Sequence, residues 1–347
     1  MRRAAKLLSR RSFLRRLAGV AGVSALAACR STATPPAPSP VASATSAPAQ
    51  PASATATATA VATGTPARPT ATATPAAAPA SPGPGRATPT GRVLPLFDTH
   101  VHYSQDAWGV VPVEQALRLM DQAGTRLALV SSTPDAGTIA LHQAAPQRVI
   151  PVLRPYRTAG DLASWFEDPT IPAYLEERLA LGVHRGIGEF HLYGEAAATP
   201  VVARVVRLAV ERGLFLHAHS DERAVAGLFA VDPAARVLWA HAGFAGPAAV
   251  RAMVERYPNL WVEFAFRADV ASGGRLDPAW RAVLEAHPER YMVGTDSYTI
   301  GRWTAMPAIL GEVRTWCASL PPELGDNLAW RNAARLLGVD EAVFREG

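Results

Sequence analysis

The chain has 347 residues and a formal net charge of +5, but its charges are unevenly distributed. Residues 1–92 hold eleven arginines and lysines and no acid, so the other 255 residues carry 23 basic and 29 acidic side chains, a net charge of −6. An acidic domain lacks the basic surface that nucleic acid requires, and we expect no nucleic-acid partner.

The first 29 residues have the order of an export signal. Seven basic residues precede an apolar run over residues 17–28, which as a helix would rise only about 18 Å and could not cross a bilayer core of ~30 Å. Residues 10–14, Arg-Arg-Ser-Phe-Leu, resemble a twin-arginine export motif, and residues 26–29, Leu-Ala-Ala-Cys, resemble a lipobox. We therefore expect an exported protein that a lipid on Cys29 anchors to the outer face of the cell membrane, or a periplasmic or outer-membrane lipoprotein.

The lipid on Cys29 is directly testable. Cells grown with a radioactive fatty acid should label the protein, and Cys29→Ala should abolish the label because the acceptor thiol is gone. A wild-type protein that takes up no label would make Cys29 an ordinary thiol in a disordered tail. Cys317 is the only other cysteine, so a lipidated Cys29 leaves no pair for an intramolecular disulfide.

Residues 30–92 are almost wholly Ala, Thr, Pro, Ser and Gly, with no aromatic side chain. Such a segment cannot bury enough apolar surface to offset the entropy lost on ordering. We expect a disordered linker that its frequent prolines keep extended. The folded domain should then span residues 93–347.

From residue 93 onward, short apolar runs alternate with segments of helical period, which is the pattern of βα units around a parallel sheet. Eight such runs in about 250 residues predict one α/β domain, a (β/α)8 TIM barrel. The predicted strands are Val93–Phe97, Leu127–Ser131, Val149–Leu153, Gly186–Phe190, Leu214–His219, Val237–His241, Leu260–Phe264 and Tyr291–Thr295.

Three of the intervening segments show the i, i+3, i+4, i+7 spacing of a helix with one buried face. Pro200 and Pro247 stand where two of these helices should begin, a position at which the missing N–H costs nothing. The apolar stripes are Val113, Ala116, Leu117 and Met120; Val202, Val205, Val206 and Ala209; and Val250, Met253, Val254 and Tyr257.

The first predicted strand leads into Asp98, His100 and His102, which are spaced two residues apart. Alternate residues of an extended chain point to the same side, so both histidines can bind one ion and Asp98 can support them. A lone His-x-His pair is weak evidence, but four further strand ends carry metal-binding side chains, and active sites of this fold gather at that face. Those side chains are Glu189 after the fourth strand, His217 and His219 at the fifth, His241 at the sixth and Asp296 after the eighth.

In this order the residues resemble the amidohydrolase superfamily, whose metal ligands are a His-x-His pair after strand one, Lys or Glu after strand four, His after strands five and six, and Asp after strand eight. The resemblance covers nearly all of residues 93–347, and residues 332–338 look like the family's final helix. It leaves open the deoxyribonuclease-like branch and the branch with lactonases and decarboxylases. It implies one or two divalent ions, with zinc favoured over manganese, iron or nickel, held by His100, His102, Glu189, His219, His241 and Asp296.

Two details refine this ligand set. The only lysine is Lys6, so the carbamylated lysine that bridges two metals in many relatives is excluded, and any bridging ligand is Glu189. His217 and His219 share a strand face, and counting from Gly213, as in relatives, favours His219 as the ligand. His217 should then lie deeper, as a supporting residue or an alternate ligand.

The expected chemistry is hydrolysis by metal-activated water, with Asp296 as the catalytic residue that accepts the proton of the water and returns it to the leaving group. Arg154, which follows strand three, could bind an anionic group of the substrate. His191 and His217 are also expected to contact substrate.

The substrate would be a small-molecule ester, lactone, amide or phosphoester. A metal-dependent decarboxylase with one ion is the alternative within enzymes, and a non-catalytic ligand-binding surface lipoprotein is the alternative of another class. The sequence leaves open whether the protein forms a homo-oligomer.

Overall fold

The structure is a computed structural model, and it describes residues 93–345. The predicted export signal, Cys29 and the linker over residues 30–92 lie outside the described residues and stay predictions. Within the described part, no helix is both long and apolar enough to cross a membrane.

Eight parallel strands form one sheet in the order β1-β2-β3-β4-β5-β6-β7-β10, each paired with its neighbour in the chain. A short antiparallel hairpin, β8 and β9, is inserted between the last two barrel strands. The strands are β1 Leu96–His102, β2 Thr125–Ser131, β3 Val149–Leu153, β4 Gly186–Leu192, β5 Phe215–Ser220, β6 Arg236–Trp239, β7 Leu260–Glu263, β8 Ala271–Ser272, β9 Arg275–Leu276 and β10 Tyr291–Met292.

The segment after β10 closes most of the gap to β1. The backbone N–H of Asp296 donates to the carbonyl of His100 at 2.7 Å, and the N–H of His102 donates to the carbonyl of Ser297 at 3.0 Å. These bonds make a nearly closed barrel and confirm the predicted (β/α)8 fold. They also place Asp296 directly beside the His-x-His pair, although the two lie far apart in the sequence.

Helices cover the outside of the barrel, and the predicted apolar stripes face it. In α5, for example, Val202, Val205 and Val206 are buried, and the hydroxyl of Thr199 caps the helix by accepting from the N–H of Val202 at 3.3 Å. The α-helices are α1 Gln105–Trp108, α2 Val113–Gln122, α3 Ala136–Ala144, α4 Ile171–Leu179, α5 Pro200–Glu211, α6 Glu222–Val231, α7 Pro247–Arg256, α8 Pro278–Ala286, α9 Ile300–Ala318, α10 Pro322–Asp326 and α11 Asn332–Leu337.

Two predicted strand boundaries were wrong in ways that matter for the site. The first strand was expected to end at Phe97, but β1 continues to His102, so both histidines lie on the strand itself. The sixth was expected to reach His241, but β6 ends at Trp239. His241 and Ala242 have φ of 55° and 50°, in the left-handed region that cannot continue a strand.

Two buried indoles fix the strand ends that carry the site. The Nε1–H of Trp303, on α9, donates to the carbonyl of His102 at 3.0 Å, and the Nε1–H of Trp239 donates to the carbonyl of Ser220 at 2.6 Å. Each bond satisfies a polar group that would otherwise be buried without a partner. These bonds connect α9 to the end of β1 and β6 to the end of β5.

Candidate active site

The His-x-His pair presents two ring nitrogens to each other. The Nε2 atoms of His100 and His102 are 3.0 Å apart. The Nδ1–H of His100 donates to Glu263 at 2.9 Å and that of His102 donates to the carbonyl of Ser131 at 3.0 Å, which leaves a lone pair on each Nε2 in the neutral tautomers. Two lone pairs at this distance repel each other unless positive charge lies with them, and this is how paired histidine ligands are arranged.

Two carboxylates complete this half of the site. The oxygens of Glu189 lie 3.4 Å from Nε2 of His100 and 3.1 Å from Nε2 of His102. The Oδ1 atom of Asp296 lies 3.5 Å and 3.4 Å from the same two nitrogens. Four side chains from three parts of the barrel rim therefore converge on one point, and all four are buried.

Glu189 reaches this position because a glycine precedes it. Gly188 has φ of +136°, and a Cβ there would lie 2.2 Å from the carbonyl oxygen of His217 on the neighbouring strand. Only glycine tolerates both the conformation and the close approach. Gly188 is thus required by the backbone of β4, and it allows Glu189 to reach the site.

His219 and His241 also contact Glu189. The Oε1 atom of Glu189 lies 3.0 Å from Nδ1 of His219 and 3.5 Å from Nε2 of His241. The Nδ1–H of His241 donates to the carbonyl of Ala265 at 2.8 Å, so its Nε2 also carries a lone pair toward the centre. Glu189 thus contacts His100, His102, His219 and His241, and the structure brings all six predicted metal ligands together.

The charges at this centre favour a cation. Burial alone would raise the pKa of Glu189 and of Asp296, but the positive charge of His100 and hydrogen bonds from neighbouring histidines outweigh it, and both pKa values are lowered. Burial would likewise lower the pKa of His100, yet Asp296, Glu189 and Glu263 hold it well above its usual value. The carboxylates therefore stay ionised and stabilise positive charge among them, either a proton on His100 or a cation that replaces this proton and binds the Nε2 lone pair.

Glu263, at the end of β7, is a site residue that the sequence analysis missed. It is fully buried, and it accepts from Nδ1–H of His100 at 2.9 Å, from the N–H of His241 at 2.8 Å and from the N–H of Ala265 at 2.5 Å. Burial opposes its ionisation, but the charge and hydrogen bond of His100 prevail and lower its pKa to about 2. One feature of the sequence could have revealed it: Glu263 is a carboxylate within the apolar run of the seventh predicted strand, and a charged group is seldom buried without a partner.

Asp98, which was expected to support the histidines, does so through the backbone. Its carboxylate accepts from the N–H of His100 at 3.2 Å and from the N–H and hydroxyl of Thr295 at 2.9 and 2.7 Å. Burial raises its pKa to about 6. The Asp98 side chain therefore links β1 by hydrogen bonds to the loop that carries Asp296.

Arg154, predicted to bind substrate, lies against Glu189. Its Nε–H donates to the carbonyl of Glu189 at 3.0 Å, one Nη lies 3.4 Å from the Glu189 carboxylate, and the guanidinium packs over the ring of Tyr156. The side chain is buried. These contacts favour a positioning role for Arg154, since they orient the carboxylate at the centre of the site.

The two other residues predicted to contact substrate lie at different depths. His191 stacks on His219 with ring centres 4.2 Å apart, and burial lowers its pKa to about 4, so it is neutral near pH 7. His217 is fully buried beneath His100, with ring centres 4.5 Å apart, and burial lowers its pKa to about 3. His219 contacts Glu189 directly, whereas Nε2 of His217 is 4.0 Å from Glu263, in agreement with the expected order of depth.

Aromatic side chains surround the mouth of the site. Phe244 stacks over His241 at 5.0 Å, Tyr193 lies 6.0 Å from His219, and Phe266 lies 6.4 Å from His241 and 6.3 Å from Tyr298. Within residues 93–345 these are the exposed large aromatic side chains, and they are 44–56% exposed. We call Tyr193, Phe244, Phe266 and Tyr298 the aromatic rim.

Comparison with known proteins identifies the family. The family model described as Amidohydrolase matches residues 97–339, which is more than half of the chain. The chain belongs to the amidohydrolase family. The match spans every residue of the site described above.

Solved structures share the fold of this amidohydrolase. An uncharacterised TIM-barrel protein from Bordetella bronchiseptica has a TM-score of 0.52 and 14% identity, with 71% of this chain and 99% of that chain covered. YJJV, a TatD homologue from Escherichia coli K12, has a TM-score of 0.52 and 18% identity, with 72% of this chain and 100% of that chain covered. At these identities the likeness concerns the barrel alone, and no curated protein sequence matches the chain.

The residues fit a divalent cation. Groups of three ligand atoms within 4.8 Å of one another include His100, His102 and Glu189, as well as His100, His241 and Asp296. Imidazole nitrogens with their Nδ1–H groups tied to carboxylate or carbonyl oxygens are typical metal ligands. Together with the family, this donor set supports an enzyme of the metal-dependent hydrolase kind.

Proposed function

We propose that this amidohydrolase hydrolyses a small-molecule ester, lactone, amide or phosphoester with water activated at the candidate metal centre. The observation that carries the proposal is the convergence of three Nε2 lone pairs, from His100, His102 and His241, on the carboxylates of Glu189 and Asp296. A bound divalent ion supplies Lewis acidity, which activates water and polarises a carbonyl or phosphoryl oxygen. Zinc is the favoured ion because imidazole and carboxylate ligands dominate the set.

Asp296 is the proposed proton acceptor. Its Oδ1 atom is within 3.5 Å of both Nε2 atoms of the His-x-His pair, and the Nε–H of Arg302 donates to its backbone carbonyl at 2.8 Å. With φ of 50°, the backbone of Asp296 turns the carboxylate into the mouth instead of continuing β10. The carboxylate takes a proton from the attacking water and returns it to the leaving group.

The aromatic rim supports a substrate with an apolar part. Exposed aromatic rings beside a polar centre are the usual means of binding an apolar group while its reactive end reaches the polar residues. Of the aromatic rim, Phe244 lies nearest the candidate ligands, with its ring centre 5.0 Å from that of His241 and 5.8 Å from that of His219. We therefore place aryl and alkyl esters or lactones ahead of small, fully polar substrates.

Phe244→Ala should raise KM for an aryl ester by about tenfold, with kcat little changed, because the ring contributes to binding and not to proton transfer. KM for the matching acetate ester of a small alcohol should change less. The control is Leu181→Ala, which removes an exposed apolar side chain away from the mouth. Equal changes of KM for both esters would remove the rim from substrate binding.

The proposal is tested by elemental analysis of the purified protein, followed by assays with lactone, ester, amide and phosphodiester substrates. One or two divalent ions per chain and turnover that is lost on chelation and regained on metal addition would support it. Turnover of a carboxylic acid to carbon dioxide, with one ion only, would replace it with the decarboxylase alternative. A protein that binds ligands but holds no metal and turns over no substrate would overturn it in favour of the binding lipoprotein.

A further inference from the structure

A cavity lies at the end of the barrel opposite the candidate metal centre. It has a volume of about 590 Å³ and is lined by the residues that precede β4 and β5, by the start of β6 and by the end of α11. The candidate metal ligands lie from the middle of their strands to beyond the carboxyl ends, whereas the residues that line the cavity lie at the amino ends. The cavity is therefore separate from the proposed catalytic site.

The lining of this cavity is basic. Arg185, Arg212, Arg236 and Arg335 line it together with His184, and no aspartate or glutamate does. The domain as a whole has an excess of acid, with a net charge of −6 over residues 93–347. Four guanidinium groups around one cavity therefore oppose the general charge of the domain, and their mutual repulsion favours a bound anion.

Most of the positive charge of these four arginines is not neutralised by nearby carboxylates. Within the described residues, the side chains of Arg185 and Arg212 are exposed and take part in no ion pair or side-chain hydrogen bond. Arg236 donates only to backbone carbonyls, one of them that of Leu336 at 3.2 Å. Arg335 has one distant carboxylate, that of Glu341, at 3.9 Å.

His184 supplies an independent sign of a ligand. Its side chain is fully buried, and its Nε2 lies 3.1 Å from the carboxylate of Asp135. Its other ring nitrogen, Nδ1, is buried and has no hydrogen-bond partner in the structure. A buried polar atom seldom lacks a hydrogen-bond partner. A ligand bound in the cavity that His184 lines could provide this partner.

We propose that this cavity binds a phosphate group. A phosphate offers several acceptor oxygens to the forked donors of the arginines, and its hydrogen phosphate form can also donate, which suits Nδ1 of His184 in either tautomer. A cavity of about 590 Å³ leaves room for an organic group attached to the phosphate. The phosphate could therefore belong to a soluble phosphate ester or to the headgroup of an anionic lipid, and the experiment separates these sources.

The test compares two double variants of the full chain by equilibrium dialysis with radiolabelled inorganic phosphate and pyrophosphate. Arg185→Ala/Arg212→Ala removes two charges from the cavity without breaking an ion pair, and we expect it to weaken binding by about tenfold or more. Arg126→Ala/Arg207→Ala removes two exposed arginines that do not line the cavity, so it should bind like the wild type. Phosphate held at the metal centre would be the same in both variants and cannot produce the difference.

A second arm uses flotation with vesicles of phosphatidylglycerol or of phosphatidylcholine alone. Phosphate binding that only the cavity variant loses assigns a soluble phosphate compound. Binding of phosphatidylglycerol vesicles that only the cavity variant loses, without binding of free phosphate, assigns a lipid headgroup. Equal binding by both double variants in both arms, or no binding at all, would overturn the proposal. Ester hydrolysis should be unchanged in both variants, since neither touches the metal centre.

Discussion

Asp296→Asn is expected to leave the fold intact and to lower kcat by about 10²- to 10⁴-fold, the usual contribution of a positioned general base. The substitution keeps the size of the side chain and its backbone bond to His100, but an amide cannot accept the proton of water. The backbone carbonyl that binds Arg302 is also retained. The measurement is a comparison of kcat with the wild type, with near-ultraviolet circular dichroism to check the fold.

Two controls make the result specific to proton transfer. Asp269→Asn changes the same functional group near the mouth, where Asp269 is 56% exposed and paired with Arg267 at 2.7 Å, and it should retain activity. Elemental analysis of Asp296→Asn separates loss of the base from loss of metal, because a variant that keeps its metal but not its activity has lost the proton acceptor. A variant with wild-type kcat would remove Asp296 from this role.

The sequence was sufficient to predict the barrel and the six candidate ligands for a simple physical reason. A βα repeat puts the carboxyl ends of all strands on one face, so any polar residue that interrupts an apolar run at its end points to the same place. His100 and His102 could also be paired from the two-residue period of a strand. Both predictions, the shared face of the strand ends and the pairing of the two histidines, can be made without knowing the curvature of the barrel.

The roles of other residues depend on geometry that no local pattern contains. Arg154 was expected to bind an anionic group of the substrate, but its guanidinium contacts Glu189 because β3 and β4 are neighbours. His241 lies beyond the end of its strand because the chain turns through a left-handed conformation there. In the sequence, Glu263 is a single carboxylate within an apolar run, which is equally typical of a hydrogen-bonded core residue. Only its contacts with His100 and His241 across the barrel show that it supports the candidate metal ligands.

Glu263→Leu is expected to destabilise the protein by about 3–5 kcal/mol, the usual effect of breaking a buried charged network by removing one partner. The carboxylate is the acceptor for His100, for the N–H of His241 and for the N–H of Ala265, and leucine leaves all three donors buried and unpaired. Because His100 also loses the group that fixes its tautomer, metal affinity should fall by about 10- to 100-fold. Chemical denaturation and competition with a chelator measure the two effects.

Glu263→Gln distinguishes support of the metal ligands from simple filling of space. Glutamine keeps an oxygen that can accept from Nδ1–H of His100, so it should recover most of the stability, but it removes the negative charge that draws a cation to the centre. Metal affinity should therefore stay below that of the wild type while the unfolding free energy returns toward it. Glu289→Leu, at an exposed residue paired with Arg290, should change neither the unfolding free energy nor the free energy of metal binding by more than about 1 kcal/mol. If Glu263→Leu bound metal as the wild type does, the carboxylate would be a structural element of β7 and not a support of the metal ligands.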